Sequence, residues 1–170
     1  MRKIVITFGL ISGAIMVAMM LATIPFMDKI GFDKGVVIGY TTMVGAFLLV
    51  FFGIRSYRDN VNDGRITFGK AFAVGILITL IACVCYVVAW EILYFNFMPD
   101  FLDKYAQHMI EKAKAAGDSQ QMIDAQIQEM KNFKTMYDNP FINAAFTFIE
   151  PFPVGLIITL ISSAILRTKT

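Results

Sequence analysis

The chain has 170 residues, of which 57% are hydrophobic and 16% charged, and its formal net charge is +2. A soluble globular domain carries about 45–50% apolar and about 25% charged residues. This composition and a mean hydropathy of +0.64 argue against a soluble domain. The small net charge argues against nucleic-acid binding. One histidine and two cysteines are too few for a metal site built on these residues, so we expect neither metal nor cofactor.

Four long apolar runs predict membrane-crossing helices at residues 4–24, 35–54, 71–90 and 141–166. About 20 helical residues cover a hydrocarbon core of about 30 Å. The first run exceeds the 7–15 apolar residues, roughly, of a signal peptide, so we interpret it as a retained helix. The sequence therefore predicts one all-α membrane domain, residues 1–170, with four transmembrane helices.

The basic residues near the helix ends predict the orientation. With both termini on one side, eight basic residues share that side: Arg2, Lys3, Arg55, Arg58, Arg65, Lys70, Arg167 and Lys169. The first connection has only Lys29 and Lys34, offset by Asp28 and Asp33. We therefore expect an N-in/C-in topology with cytoplasmic termini. Arg55, Arg58, Arg65 and Lys70 would then lie in the cytoplasmic loop 55–70, as candidate contacts for lipid headgroups or a partner.

Residues 96–139 form a polar insert between the third and fourth helices, on the extracytoplasmic side. Apolar residues recur at helical spacing in two stretches, with Gly117 as a terminator between them. Asp118 followed by Gln121 is typical of a helix N-cap. We predict an amphipathic helical hairpin over residues 100–137. Its apolar stripes would pack on each other, lie on the outer membrane surface, or bind a protein partner.

The stretch "GRITFGKA" at residues 64–71 imitates a phosphate-binding loop. Ala71 stands where that motif needs Ser or Thr, and no strand precedes it, so nucleotide binding is not predicted. We find no other familiar catalytic motif and expect that the chain is not an enzyme.

Two GxxxG spacings predict close helix contacts, at Gly9 with Gly13 and at Gly35 with Gly39. Such small surfaces let helix backbones approach each other in a bilayer. The partner helix belongs either to the same chain or to a second copy in a homo-oligomer.

Glu150 stands inside the fourth run, in "FTFIEPFPVGLI", and no basic residue is expected at its depth. Intramembrane carboxylates are costly and usually mark an interior or functional position. Pro151 and Pro153 should kink or break the helix there and free backbone carbonyls. Tyr40, Thr41 and Tyr86 have a similar depth on other helices, and Asn143 lies seven residues before Glu150 on the same helical face; the candidate polar site is Glu150, Tyr40, Thr41, Tyr86 and Asn143. A buried structural carboxylate is the alternative, and Glu91 is interpreted as interfacial.

With the loop "FGIRSYRDNVNDGRITFGKAFAVG" and the tail "PVGLIITLISSAILRTK", the chain resembles the bacterial membrane proteins catalogued as domain of unknown function 4199. The resemblance covers nearly the whole chain and implies a bacterial cytoplasmic (inner) membrane protein. It implies no activity and no catalytic residue.

Three hypotheses for function follow. The first is a non-enzymatic accessory or assembly protein that uses the hairpin and the GxxxG faces for contacts. The second is a small transporter or proton-linked channel subunit built on Glu150. The third, a membrane enzyme with Glu150 as acid or base, lacks an accompanying nucleophile or metal set.

Overall fold

The computed structural model describes residues 1–168, the side chain of Asp28 excepted, and within them every regular element is helical. A 3₁₀ turn at Ile24–Phe26 joins the first two helices. The helices are α1 (Arg2–Thr23), α2 (Met27–Ile30), α3 (Phe32–Val61), α4 (Phe68–Phe97), α5 (Phe101–Ala116), α6 (Gln120–Tyr137), α7 (Pro140–Ile149) and α8 (Pro151–Leu166).

Four helical segments of the described chain are long and apolar enough to cross a membrane: Arg2–Phe26, Phe32–Val61, Phe68–Phe97 and Pro140–Leu166. This finding confirms the all-α class and the prediction of four helices that are long and apolar enough to cross a membrane. α3 and α4 have 30 residues each and extend past the predicted runs.

The predicted cytoplasmic loop 55–70 is therefore wrong in its bounds. Arg55 and Arg58 lie on the last turns of α3, Lys70 lies in the first turn of α4, and Arg65 remains in the connection. The helix continues to Val61 because the backbone first leaves the helical region at Asn62, and Asp63 and Gly64 follow with φ angles of +49° and +75°. Polar residues do not end a helix unless the backbone leaves the helical region.

The first compact unit comprises Met1–Val87 and the chain from Thr147 onward. Its core is aliphatic and aromatic, and Phe47, Val50, Ile54, Val74 and Ile78 are fully buried there. Glycines bring the helices close together. A Cβ on Gly13 would stand 2.6 Å from Cys85 Cβ, and one on Gly75 would stand 2.8 Å from Thr159 Cγ2.

The second compact unit comprises Val88–Phe146 and holds the end of α4 with α5, α6 and most of α7. α5 ends at Gly117, which adopts the left-handed conformation that glycine favours. α6 is capped by Ser119, whose hydroxyl accepts a hydrogen bond from the Met122 N–H. The expected cap at Asp118 is wrong by one residue because Ser119 takes the extended backbone conformation of a cap.

Candidate functional site

Glu150 lies at the break between α7 and α8. Pro151 and Pro153 have no N–H to donate to the preceding turn, so the helix is interrupted there, as the two prolines predict. Pro151 is itself acceptable at the first position of α8, where the N–H has no intrahelical partner in any case. The break sets the Glu150 side chain at the surface of the first unit.

Tyr86 of α4 donates a hydrogen bond from its hydroxyl to Glu150 Oε2, at 3.1 Å. Both residues belong to the first unit. Tyr86 lies four residues before Trp90 on the same helix, which corresponds to about 6 Å along the axis. The Tyr86–Glu150 pair therefore combines an exposed carboxylate, a phenolic donor and a helix break.

The contacts of the other predicted site residues are as follows, and their grouping with this pair stays a prediction. Tyr40 is 44% exposed on α3. Thr41 donates its hydroxyl hydrogen bond to the Val37 carbonyl of its own helix, at 2.7 Å. No hydrogen bond joins Tyr40 or Thr41 to Glu150 among the residues described. Asn143 belongs to the second unit, where it is fully buried and donates to the Tyr137 carbonyl at 3.2 Å.

A polar contact inside the first unit was not anticipated from the sequence. The hydroxyls of Thr79 and Thr159 are 3.1 Å apart, and both side chains are fully buried. On α1, the Ser12 hydroxyl donates to the Ala46 carbonyl of α3, at 2.7 Å. These groups satisfy one another inside an apolar bundle, and small residues on facing helices are the sequence signal for them.

An aromatic cluster forms within the second unit. Trp90 meets Phe101 edge to face at a centroid distance of 5.1 Å and donates its indole N–H to Tyr137 Oη at 3.0 Å. Tyr94 is 3% exposed and donates to Asp138 Oδ1 at 2.8 Å. This cluster ties α4 to both helices of the insert. The sequence pattern does not reveal this cluster, because Phe101 and Tyr137 are more than ten residues from Trp90 along the chain.

A groove of about 350 Å³ lies between α5 and α6. Its lining combines apolar and charged side chains: Leu102, Asp103, Ala106, Gln107, Ile110, Glu111, Lys114, Ile127, Met130, Lys131 and Lys134. Lys134 pairs with Asp103 across the groove, and this hydrogen bond raises the pKa of Lys134. Leu102, Ala113 and Ile123 of the two apolar stripes are buried.

One end of the first unit carries most of its basic side chains. Thr168 accepts from the Ile66 N–H and donates its own N–H to the Ile66 carbonyl, so the chain after α8 meets the α3–α4 connection. A Cβ on Gly53 would contact Phe8, so the start of α1 runs beside the end of α3. We name this surface the basic end, and it consists of Arg2, Lys3, Arg55, Arg58, Arg65, Lys70 and Arg167.

The described chain is all-helical, and four of its helical segments have the length and composition of membrane spans. These features are typical of a polytopic membrane protein. The chain belongs to the family described as protein of unknown function DUF4199, whose family model matches residues 7–168. The match covers nearly the whole chain and confirms the resemblance seen in its loop and tail. No curated protein and no solved structure matches the chain.

Proposed function

We propose that this protein is a non-enzymatic accessory or assembly protein of the bacterial cytoplasmic membrane. In this proposal its termini are cytoplasmic and its α5–α6 segment, residues 101–137, binds a protein partner on the opposite side. The observation that supports it best is the groove between α5 and α6. A groove lined by both apolar and charged side chains suits the apolar stripe and flanking charges of an amphipathic helix.

The groove offers both kinds of contact that such a partner needs. Ile110, Ile127 and Met130 remain partly exposed in it. Glu111 lines it from α5 and Lys131 from α6, and both are exposed. Apolar anchors supply most of the binding free energy in such interfaces, and flanking charges set the orientation of the partner.

Site-specific photocrosslinking in native membranes tests this role. A photoreactive residue at Gln107, inside the groove, should give one discrete crosslinked product. The same residue at Gln128, exposed on α6 outside the groove, should give none. Reversing both groove charges, with Glu111→Lys and Lys131→Glu, should abolish the product. Equal crosslinking at both positions, or a product that survives the charge reversal, would contradict a partner at the groove.

Gly9 and Gly13 lie against α4 of the same chain, whereas a Cβ on Gly39 would meet nothing within 4 Å. Gly35 is covered by Met27. If the protein forms a homo-oligomer, the proposed contact on α3 therefore rests on Gly39 and its exposed neighbours Val36 and Tyr40. The Gly9–Gly13 surface is already occupied.

The Tyr86–Glu150 pair favours a second candidate function, a small proton-linked transporter or channel subunit. A carboxylate at a helix break with a phenolic donor can take up and release a proton where water reaches it. Proton flux into proteoliposomes that depends on Glu150 would favour this candidate. Flux that is unchanged in Glu150→Gln would exclude it.

A further inference from the structure

The basic end of the first unit has more positive charge than its own carboxylates neutralise. Asp59 is shared by two arginines, with Arg58 Nε at 2.7 Å and Arg55 Nε at 3.5 Å. Among the residues that the structure describes, no carboxylate lies within ion-pair distance of Arg65, Lys70 or Arg167. All three of these side chains are exposed.

Exposed apolar side chains lie close to the basic ones at this end, and two of them, Val61 and Phe68, lie nearer the α3–α4 connection than Arg58 and Lys70 do. Phe52 is 50% exposed and lies three residues before Arg55 on α3. Phe68 is 39% exposed and lies two residues before Lys70, and Ile165 is 66% exposed and lies two residues before Arg167. At about 1.5 Å per residue, each apolar side chain is within about 5 Å along the helix axis of its basic neighbour.

From this proximity of exposed apolar and unpaired basic side chains we infer that the basic end binds the headgroups of anionic phospholipids. Phe52 and Ile165, which lie on the bundle side of Arg55 and Arg167, would contact the acyl chains, while Arg65, Lys70 and Arg167 contact the phosphates. A nucleic acid would use only the charges, whereas a phospholipid uses the neighbouring apolar and basic side chains together. Arginine and lysine near a membrane surface attract anionic lipid in this way.

Lys70 is held close to the bundle, which orients its charge. Its Nζ lies 6.0 Å from the centre of the Tyr57 ring, and Tyr57 is 6% exposed. The backbone N–H of Lys70 donates a hydrogen bond to the Thr67 hydroxyl at 3.4 Å, so the Thr67 side chain caps the start of α4. The α3–α4 connection is in turn bonded to Thr168. These contacts limit the motion of the connection that carries Arg65 and Lys70.

The experiment is a lipid titration of the full-length protein in detergent, followed by native mass spectrometry. Phosphatidylglycerol and phosphatidylcholine with identical acyl chains are compared on the wild type and on the variant Arg65→Gln/Lys70→Gln. The control is Lys114→Gln/Lys131→Gln, which removes the same charge from the groove between α5 and α6. A third ligand, water-soluble glycerophosphoglycerol, separates a lipid site from a site for free phosphate.

We expect phosphatidylglycerol to bind the wild type more tightly than phosphatidylcholine. Each lost charge should weaken phosphatidylglycerol binding about fivefold, since a basic residue near an anionic surface contributes about 1 kcal/mol. The control variant should change the affinity less than twofold. Equal affinity for both lipids, an unchanged Arg65→Gln/Lys70→Gln variant, or equally tight binding of glycerophosphoglycerol would overturn the inference.

Discussion

At the scale of residues, the hydrogen bond between Tyr86 and Glu150 joins α4 to the start of α8. A carboxylate near the level of the aromatic belt has water within reach on one side and hydrocarbon on the other. The phenolic hydroxyl gives it a partner within the chain. Tyr86 therefore reduces the cost of placing Glu150 in an otherwise apolar helix.

A double-mutant cycle measures the contribution of this hydrogen bond. Tyr86→Phe and Glu150→Ala are combined, and we expect a coupling free energy of about 0.5–1.5 kcal/mol, as for hydrogen bonds between membrane helices. The measurement is reversible unfolding in a bilayer-like detergent. Tyr40→Phe is the matched control, since no hydrogen bond of the Tyr40 hydroxyl occurs among the described residues. A coupling energy near zero would show that the pair contributes nothing to stability.

Glu150 was predicted as a site residue from its charge within an apolar run, and Tyr86 from its similar depth, which follows from counting residues along helices of known rise. Tyr40 and Thr41 were also predicted from depth and Asn143 from its helical face, and the grouping of all five residues in one site stays a prediction. Depth leaves the rotation of each helix undetermined, and rotation depends on the packing of side chains from distant parts of the chain. Thr41 shows a further difficulty, because a threonine in a helix bonds readily to its own backbone.

At the scale of elements, close helix packing depends on glycines that face other helices. A Cβ at Gly13 would stand 2.6 Å from Cys85 Cβ and 3.4 Å from the Ala82 backbone. At Gly155, a Cβ would overlap Thr79 and the Phe47 ring. A Cβ at Gly45 would meet nothing within 4 Å. Gly45 is therefore the control: it is a helical glycine like the other two, but an added Cβ would touch no neighbouring helix.

We expect Gly13→Ala and Gly155→Ala each to lower the free energy of unfolding by about 1–3 kcal/mol, because the added methyl forces the helices apart. Gly45→Ala should be neutral or stabilise by up to about 1 kcal/mol, because alanine favours a helix over glycine. The measurement is again reversible unfolding in detergent. Equal effects in all three variants would contradict the proposed role of the close contacts.

Ser119 is the second test at this scale. Ser119→Ala removes the side-chain cap of α6 and should cost about 0.5–2 kcal/mol of helix stability, whereas Asp118→Ala should cost much less. Hydrogen exchange of the first turn of α6 is the measurement. Faster exchange in Asp118→Ala than in Ser119→Ala would contradict the assigned cap.

The Lys134–Asp103 pair adds a dependence on pH. The hydrogen bond raises the pKa of Lys134, so the charged form is favoured in the folded state. The contribution of this hydrogen bond to stability is complete below the pKa of Lys134 in the unfolded chain, about 10.4. It is lost as the pH rises through the higher pKa of Lys134 in the folded protein. Alkaline titration should therefore loosen the ends of α5 and α6 in the wild type. Lys134→Gln should lose that alkaline transition in hydrogen exchange, and a transition that persists would exclude this pair as its cause.

At the scale of the whole molecule, the hydrophobic runs predicted the number of long helices because the bilayer thickness sets their length. The ends of α3 and α4 were predicted less well. Hydropathy falls at Arg55, but the α3 backbone stays helical until Asn62. The aromatic cluster of the second unit depends on contacts between Trp90, Phe101 and Tyr137, which hydropathy does not report.

Two separate observations bear on the basic end: the distribution of basic residues along the sequence and the hydrogen bonds between Ile66 and Thr168. The count of basic residues predicted one membrane side for the N-terminus, the α3–α4 connection and the C-terminus. The hydrogen bonds between Ile66 and Thr168 bring the last two of these together in the first unit. Two candidate spans, Phe68–Phe97 and Pro140–Leu166, separate the α3–α4 connection from the chain after α8. If each crosses the membrane once, both segments lie on the same side, in agreement with their proximity.

The most direct test of the central claim is the side of the membrane on which each connection lies. Single cysteines at Asn60 and Asp118, in a Cys83→Ala/Cys85→Ala background, are labelled with an impermeant maleimide in intact spheroplasts. The proposed topology predicts labelling of Asp118→Cys in intact cells and of Asn60→Cys only after permeabilisation. Labelling of Asn60→Cys in intact cells, or protection of Asp118→Cys until permeabilisation, would contradict the proposed membrane protein with an outward-facing α5–α6 segment.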